Sequence, residues 1–354
     1  MNIIAMKPNY LKSLIFSLAL FCSYNAAAQI DTLVMPGNNL IVGEVKGMQY
    51  GVITIETDYS DDDFTIEWLD VVAIRTQTRF LISLSNGERL NGTVSSYGSE
   101  HGVKIHESDG TELADIALED IVFLNGVESD FWGRMSASID FGINLTKANN
   151  FKQYNARSNV GYRADRWSAG LSYDLLRSSQ DETDPIRRQE FGSTFQYYLE
   201  QKWYIAGNLN LLSNTEQALD LRRSLKFGGG RSIIKNNKAE WGAIVGIAFL
   251  NEEFDNSSLT EPVDPNPRAS TEAFIGTNAN LFDTGDLSLT SSLYMYPSLT
   301  ESGRFRTDFS LDVKYDLPLD FYIKTGLTYN YDNQPAEAGN ESDYVMSIGF
   351  GWEL

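Results

Sequence analysis

The sequence predicts an all-β protein: an antiparallel transmembrane β-barrel of about twelve strands, preceded by a small periplasmic module of two repeated β-rich, SH3/Sm-like units. Three observations carry this. From Phe131 to Leu354 apolar and polar residues alternate with period two in segments of roughly ten residues, the pattern of strands with one apolar and one polar face. The connections between those segments are alternately short and long. Ahead of them, residues 30–128 hold a pattern that recurs at an offset of about 50 residues.

The first element is a signal peptide over residues 1–28. Lys7 and Lys12 precede the apolar run Leu14 to Phe21, and Ala26-Ala27-Ala28 offer a small-residue cleavage site before Gln29. The run is too short for a transmembrane anchor, which needs about 20 residues. Bulky Phe21 stands where a lipid-attachment site wants a small residue before its cysteine, so Cys22 is not read as lipidated. The chain carries 28 basic and 48 acidic residues; loss of Lys7 and Lys12 leaves 26 against 48, a net charge of −22. That balance disfavours a nucleic-acid partner, since neutralising phosphates needs a basic surface. Cleavage also removes the only cysteine, and with it any disulfide or cysteine-based metal site. No cofactor is expected.

The second element, residues 30–128, is organised by its repeat. The first copy reads Leu40 to Val45, Gly51 to Ile55 and Phe64 to Ile74; the second reads Arg89 to Val94, Gly102 to Ile105 and Leu118 to Leu124. Gly43 matches Gly92, Gly51 matches Gly102, and Asp70 matches Asp120. Each copy reads as a small barrel of short strands, with glycine where a strand bends and aspartate ahead of the closing strand. His101 and His106, the only histidines, lack the further ligand a metal site needs. Asp61-Asp62-Asp63 lacks the spacing and turn glycine of a calcium loop and reads as a solvated hairpin tip. An exposed strand edge could take a periplasmic protein or peptide partner.

The third element, residues 131–354, divides into segments 131–146, 151–164, 166–177, 187–199, 202–213, 218–231, 240–250, 268–282, 286–299, 303–316, 319–331 and 342–354. In the first, Ala137, Ile139, Phe141, Ile143 and Leu145 oppose Arg134, Ser136, Ser138, Asp140 and Asn144. In the second, Tyr154, Ala156, Val160 and Tyr162 oppose Asn155, Arg157, Asn159 and Arg163. Segment 303–316 is the plainest, with Phe305, Phe309, Leu311 and Val313 against Arg304, Arg306, Asp308, Asp312 and Lys314. The last places Tyr344, Met346, Ile348, Phe350 and Trp352 on one face.

A soluble sandwich also alternates, so alternation alone does not say which face meets water. Its persistence through every segment, the placing of Trp167, Trp203, Trp241 and Trp352 near segment ends, and the alternating turn lengths favour a membrane barrel. Short connections such as Ala164-Asp165-Arg166 then face the periplasm. Long ones, Ser178 to Pro185, Asn251 to Pro267 and Asp332 to Glu341, face outward. With an even strand count, the N-terminal module and Leu354 both lie in the periplasm.

Ser138 to Asn150, and Leu211 to Gly230 with its polar approach to Asp220-Leu221-Arg222, resemble domain-of-unknown-function family 481, whose members are labelled salt-induced outer-membrane proteins. The resemblance spans roughly residues 131–354. This chain departs from it at Lys147-Ala148-Asn149-Asn150, where a Gly-Asn turn would be expected, and in carrying the tandem module. It implies a barrel in the outer membrane and supplies no catalytic residues.

Barrel lipases and proteases need a histidine beside their nucleophile, and residues 131–354 contain none, so an enzyme is not expected. Twelve strands about 4.8 Å apart and tilted about 40° give a backbone radius of roughly 12 Å, narrow enough for side chains nearly to fill. The residues predicted to line it mix signs: Arg134, Arg157, Arg163, Arg188, Arg222, Lys226, Arg304, Arg306, Lys314 and Lys324 against Asp140, Asp174, Glu190, Asp220, Glu272, Asp308 and Asp312. Such a set forms a closing ion-pair network or lines a small-solute channel. A third reading is a structural or adhesion protein; in each, the bounding partner is outer-membrane lipid.

Overall fold

The computed structural model describes residues 30–97, 102–126, 134–257, 262–284, 286–335 and 341–352. The predicted signal peptide, His101, Phe131 and Leu354 lie outside the described residues.

The first unit has ten strands: β1 (Asp31–Met35), β2 (Asn39–Gln49), β3 (Val52–Glu56), β4 (Phe64–Glu67), β5 (Ala73–Arg75), β6 (Phe80–Leu84), β7 (Arg89–Tyr97), β8 (Gly102–His106), β9 (Glu112–Ala117) and β10 (Ile121–Gly126). Each repeat supplies five, with a 3-10 turn ahead of its last strand, Trp68–Asp70 and then Leu118–Asp120. The copies are not two separate small barrels. The last strand of each pairs with the first strand of its own copy and with the second strand of the other: β5 with β1 and β7, β10 with β6 and β2. A unit of about 50 residues buries too little surface to stand alone, and exchanging strands gives both copies one core. Leu33, Val45, Ile53, Ile55, Trp68, Ile74, Phe80, Ile82, Val94, Val103, Ile105 and Ile121 are all buried in it. The Trp68 indole donates to the Leu118 carbonyl at 3.1 Å, tying one copy's turn to the other's. A β-carbon on Gly43 would stand 2.0 Å from the Glu56 carbonyl oxygen, and one on Gly92 2.3 Å from that of His106, so the matched glycines mark one close approach made twice.

The second unit is a twelve-stranded meander, each strand antiparallel to its sequence neighbour: β11 (Met135–Thr146), β12 (Phe151–Arg163), β13 (Trp167–Ser179), β14 (Ile186–Tyr198), β15 (Trp203–Asn214), β16 (Leu219–Lys235), β17 (Ala239–Phe254), β18 (Arg268–Thr284), β19 (Leu287–Pro297), β20 (Phe305–Leu317), β21 (Phe321–Asp332) and β22 (Ser342–Trp352). Each predicted segment overlaps its strand along most of its length, and most strands overrun a predicted bound by no more than a residue or two. The larger overruns lie at β16 and β17, which run to Lys235 and Phe254, past the predicted ends. Arg222 stands opposite Glu252 and Arg223 opposite Asn251 in register, and Arg223 reaches diagonally to Glu253 at 3.0 Å, so paired charges extend the ladder through what reads as loop.

The register keeps one face apolar across the whole sheet, from Ile139, Phe141 and Ile143 on β11 to Met346, Ile348 and Phe350 on β22, and these side chains are exposed. The opposite face is concave: residues as far apart in the sheet as Arg188 on β14 and Asp343 on β22 line one cavity. Among the described residues β11 pairs only with β12 and β22 only with β21, so the pairing that would close the curled sheet is not among the described ones. Alternation specifies faces and carries no information on which pair closes a sheet. Trp167, Trp203, Trp241 and Trp352 all fall at the end of the sheet that carries the short turns.

Candidate functional site

The concave face is built in layers. At the long-loop end Arg304, in the β19–β20 connection, is 4% exposed. Its Nη1 donates to Glu301 Oε2 at 2.6 Å, its Nε and Nη2 to the two Asp332 oxygens at 3.2 and 2.7 Å, and Glu252 Oε2 lies 3.6 Å from Nη2. Arg222 donates to Glu252 Oε1 at 2.7 Å and Arg268 to Glu301 Oε1 at 2.6 Å. Arg306 grips both oxygens of fully buried Glu272 at 2.9 and 2.7 Å. Four arginines thus meet four carboxylates, and the forked contacts fix the geometry as well as the charge balance. Burial would raise the Glu301 carboxyl, but hydrogen bonds from Arg268 and Arg304 hold it below its ordinary value. The cluster borders a cavity of about 770 Å³.

The middle layer is aromatic. Lys226 Nζ donates to the Tyr296 hydroxyl at 2.9 Å, Phe274 lies 6.2 Å from the Tyr296 ring, and Tyr294 stacks on Tyr296 at 6.3 Å. These rings lie against inward glycines: a β-carbon on Gly276 would meet Tyr294 at 2.3 Å, and one on Gly230 would meet Tyr204 at 2.3 Å. The layer fills the concavity along β15–β19. Along β11–β13 and β21 it stays open, with Asp140, Arg157 and Lys324 exposed and Asp174 half-buried.

At the short-turn end the first unit seats on the second. Asn237, buried in the β16–β17 turn, donates to the carbonyls of Glu119 and Ile121 at 2.8 and 2.9 Å. Arg89 lies over Tyr198 at 4.0 Å, Arg163 over Phe123 at 4.8 Å, and Tyr50 meets Phe282 at 5.3 Å. Between the units is a cavity of about 550 Å³, on whose wall are Arg89, Arg163, Lys202, Lys235 and Glu240. Burial pulls the Arg89 guanidinium below its ordinary pKa, opposed by Tyr198 and reinforced by Arg163.

The residues predicted to line the interior fall into these layers and around them. Arg188 bonds Glu190 at 2.8 Å, Arg157 bonds Asp174 at 2.5 Å beside Asp140, and Arg134 bonds Asp165 at 2.9 Å. Lys314 pairs with Asp316 at 3.1 Å, Asp308 lines the long-loop cavity, and Asp312 stands between Thr290 and Gly326 in register. Asp220 sits instead at a bulge, exposed, while Leu219 and Arg222 beside it line the long-loop cavity; the extra residue shifts the phase that alternation assumes. Sequence reasoning missed Glu252, Arg268, Glu301 and Asp332, which lie in or next to stretches read as loops. It also missed Arg89, Lys202 and Lys235, whose meeting depends on docking. Tyr294 and Tyr296 were detectable, because they fall on the inward phase of their strand.

A family model described as "Protein of unknown function, DUF481" matches residues 139–353, which excludes the ten-stranded unit. No curated protein matches the chain. A solved porin structure aligns with 92% of this chain and 99% of its own at 11% identity and a TM-score of 0.34, a likeness too distant to add to the fold.

Proposed function

Because this chain belongs to the DUF481 family of proteins of unknown function, its role has to come from its own side chains, and we propose a non-enzymatic outer-membrane β-barrel, structural in role and with narrow passive permeability at most. In this reading residues 30–128 form a periplasmic module of SH3/Sm-like units, and lipid surrounds the sheet. The observation that carries the reading is the filled concavity: the long-loop arginines are matched by carboxylates, and aromatic rings occupy the middle of β15–β19. The continuous apolar outer face supports a lipid setting, since exposed apolar surface on this scale is unfavourable in water. The absence of histidine from residues 131–354 weighs against the histidine-assisted nucleophilic catalysis of barrel lipases and proteases.

A small-solute channel is the second reading, favoured by the exposed inward side chains of β11–β13 and β21. Arg304 and Arg306, predicted to line the interior, are both held by carboxylates, so a passage would run past Arg157, Asp174 and Lys324. Planar-bilayer recording of the purified protein separates the two. The structural reading expects no large steps, and large ion-selective steps that reverse preference on Arg157→Glu would replace it with the channel.

A further inference from the structure

The two cavities treat their cations differently. In the long-loop cavity each of the five arginines, Arg188 included, has a carboxylate. Among the described residues none of Arg89, Arg163, Lys202 and Lys235 forms an ion pair. Glu240, the single carboxylate on that wall, faces Lys235 in register without reaching ion-pair distance. Two nitrogens of Arg89, Nε and Nη1, are buried with no hydrogen-bond partner. Unpaired buried donors are costly, and gathering like charges in a partly buried space adds to the cost. A chain with a net charge of −20 has carboxylates in abundance, yet this cavity holds an excess of cations.

We propose that this cavity binds a phosphate-bearing anion, held between Arg89 of the module and Arg163, Lys202 and Lys235 of the sheet. Four cations against one carboxylate leave an excess near three charges, which suits a phosphate, carrying about −1.5 to −2, better than a lone carboxylate. Arginine forks match phosphate oxygens in pairs, while the lysines act as point charges. The volume of about 550 Å³ leaves room for an organic body beside Tyr198 and Tyr204. The phosphate could belong to a lipid headgroup or to a soluble phosphate ester.

The test is calorimetric titration of the purified full-length protein in detergent with pyrophosphate, in chloride buffer, before and after stripping co-purified phospholipid. Saturable binding is expected, weakened at least about tenfold by Arg89→Gln and by Lys235→Gln and largely kept by Arg89→Lys. Arg223→Gln, on the outer face where Arg223 pairs with Glu253, is expected to leave it unchanged. Circular dichroism checks that each variant is folded. Binding seen only after stripping, with release of lipid phosphorus, assigns a headgroup; binding to the protein as purified assigns a soluble ester. Absence of saturable binding at millimolar pyrophosphate in both preparations overturns the proposal, as does affinity unchanged in folded Arg89→Gln and Lys235→Gln.

Discussion

At Arg304 the sequence announces a place and hides the partners. Its even position in segment 303–316 puts it on the concave face, but Glu252, Glu301 and Asp332 come from three different stretches of chain, and period-two alternation says nothing about which strand ends meet. Arg304→Ala leaves three carboxylates facing one another around a buried space. It is expected to cost about 3–5 kcal/mol, read as a shift in the denaturant midpoint in detergent, and a loss below about 1 kcal/mol would mark the cluster as solvent-screened. Acid tests the same cluster from the other side. Glu301 has its folded pKa held below the ordinary carboxylate value, so its contribution is full above the unfolded value of 4.5 and is lost as pH falls through the folded one. Glu301→Gln is therefore expected to flatten the acid limb of the stability profile below about pH 4.5 while lowering the plateau at neutral pH. An unchanged acid limb would show that other carboxylates set it.

At the scale of the strand, period-two alternation places all twelve segments of the meander because every side chain has two choices and one face is apolar throughout. It fails where pairing outlasts apolarity: β17 continues through Asn251, Glu252 and Glu253 because Arg223 and Arg222 stand across from the first two and Arg223 reaches the third. It fails again at Asp220, where an inserted residue shifts the phase. Where the pattern is unbroken, adjacent residues must behave oppositely. Leu311 is on the apolar face, in register with Leu327, whereas Ser310 bonds Ser292 at 2.8 Å and borders the short-turn cavity. In lipid, Leu311→Arg is expected to destabilise by about 2–4 kcal/mol if its level is near the midplane, and Ser310→Arg much less. Yield of the heat-modifiable folded band reads the difference; equal tolerance at the two positions would defeat the assignment of faces.

For the molecule as a whole, the repeat of residues 30–128 was legible because matched glycines and aspartates keep an offset of 49 to 51 residues. The exchange of β5 and β10 between copies was not, since repeat length does not say which edge a strand joins. Docking of the module was equally invisible. The structure makes it narrow: the module's core is drawn entirely from its own residues, and the contacts named across the junction are the Asn237 pair and three ring contacts. A unit with its own core and few cross-contacts melts on its own, so calorimetry is expected to resolve two transitions rather than one. Asn237→Ala removes both donors from the Glu119 and Ile121 carbonyls, each loss costing about 1–3 kcal/mol where the acceptor stays dry. The cost should fall on docking. Hydrogen exchange at Glu119–Phe123 and at Tyr198–Lys202 is expected to rise in the variant while the module's own transition stays in place. A single cooperative transition in the native protein, or a module transition lowered along with that of the sheet by Asn237→Ala, would mean that the two units fold as one.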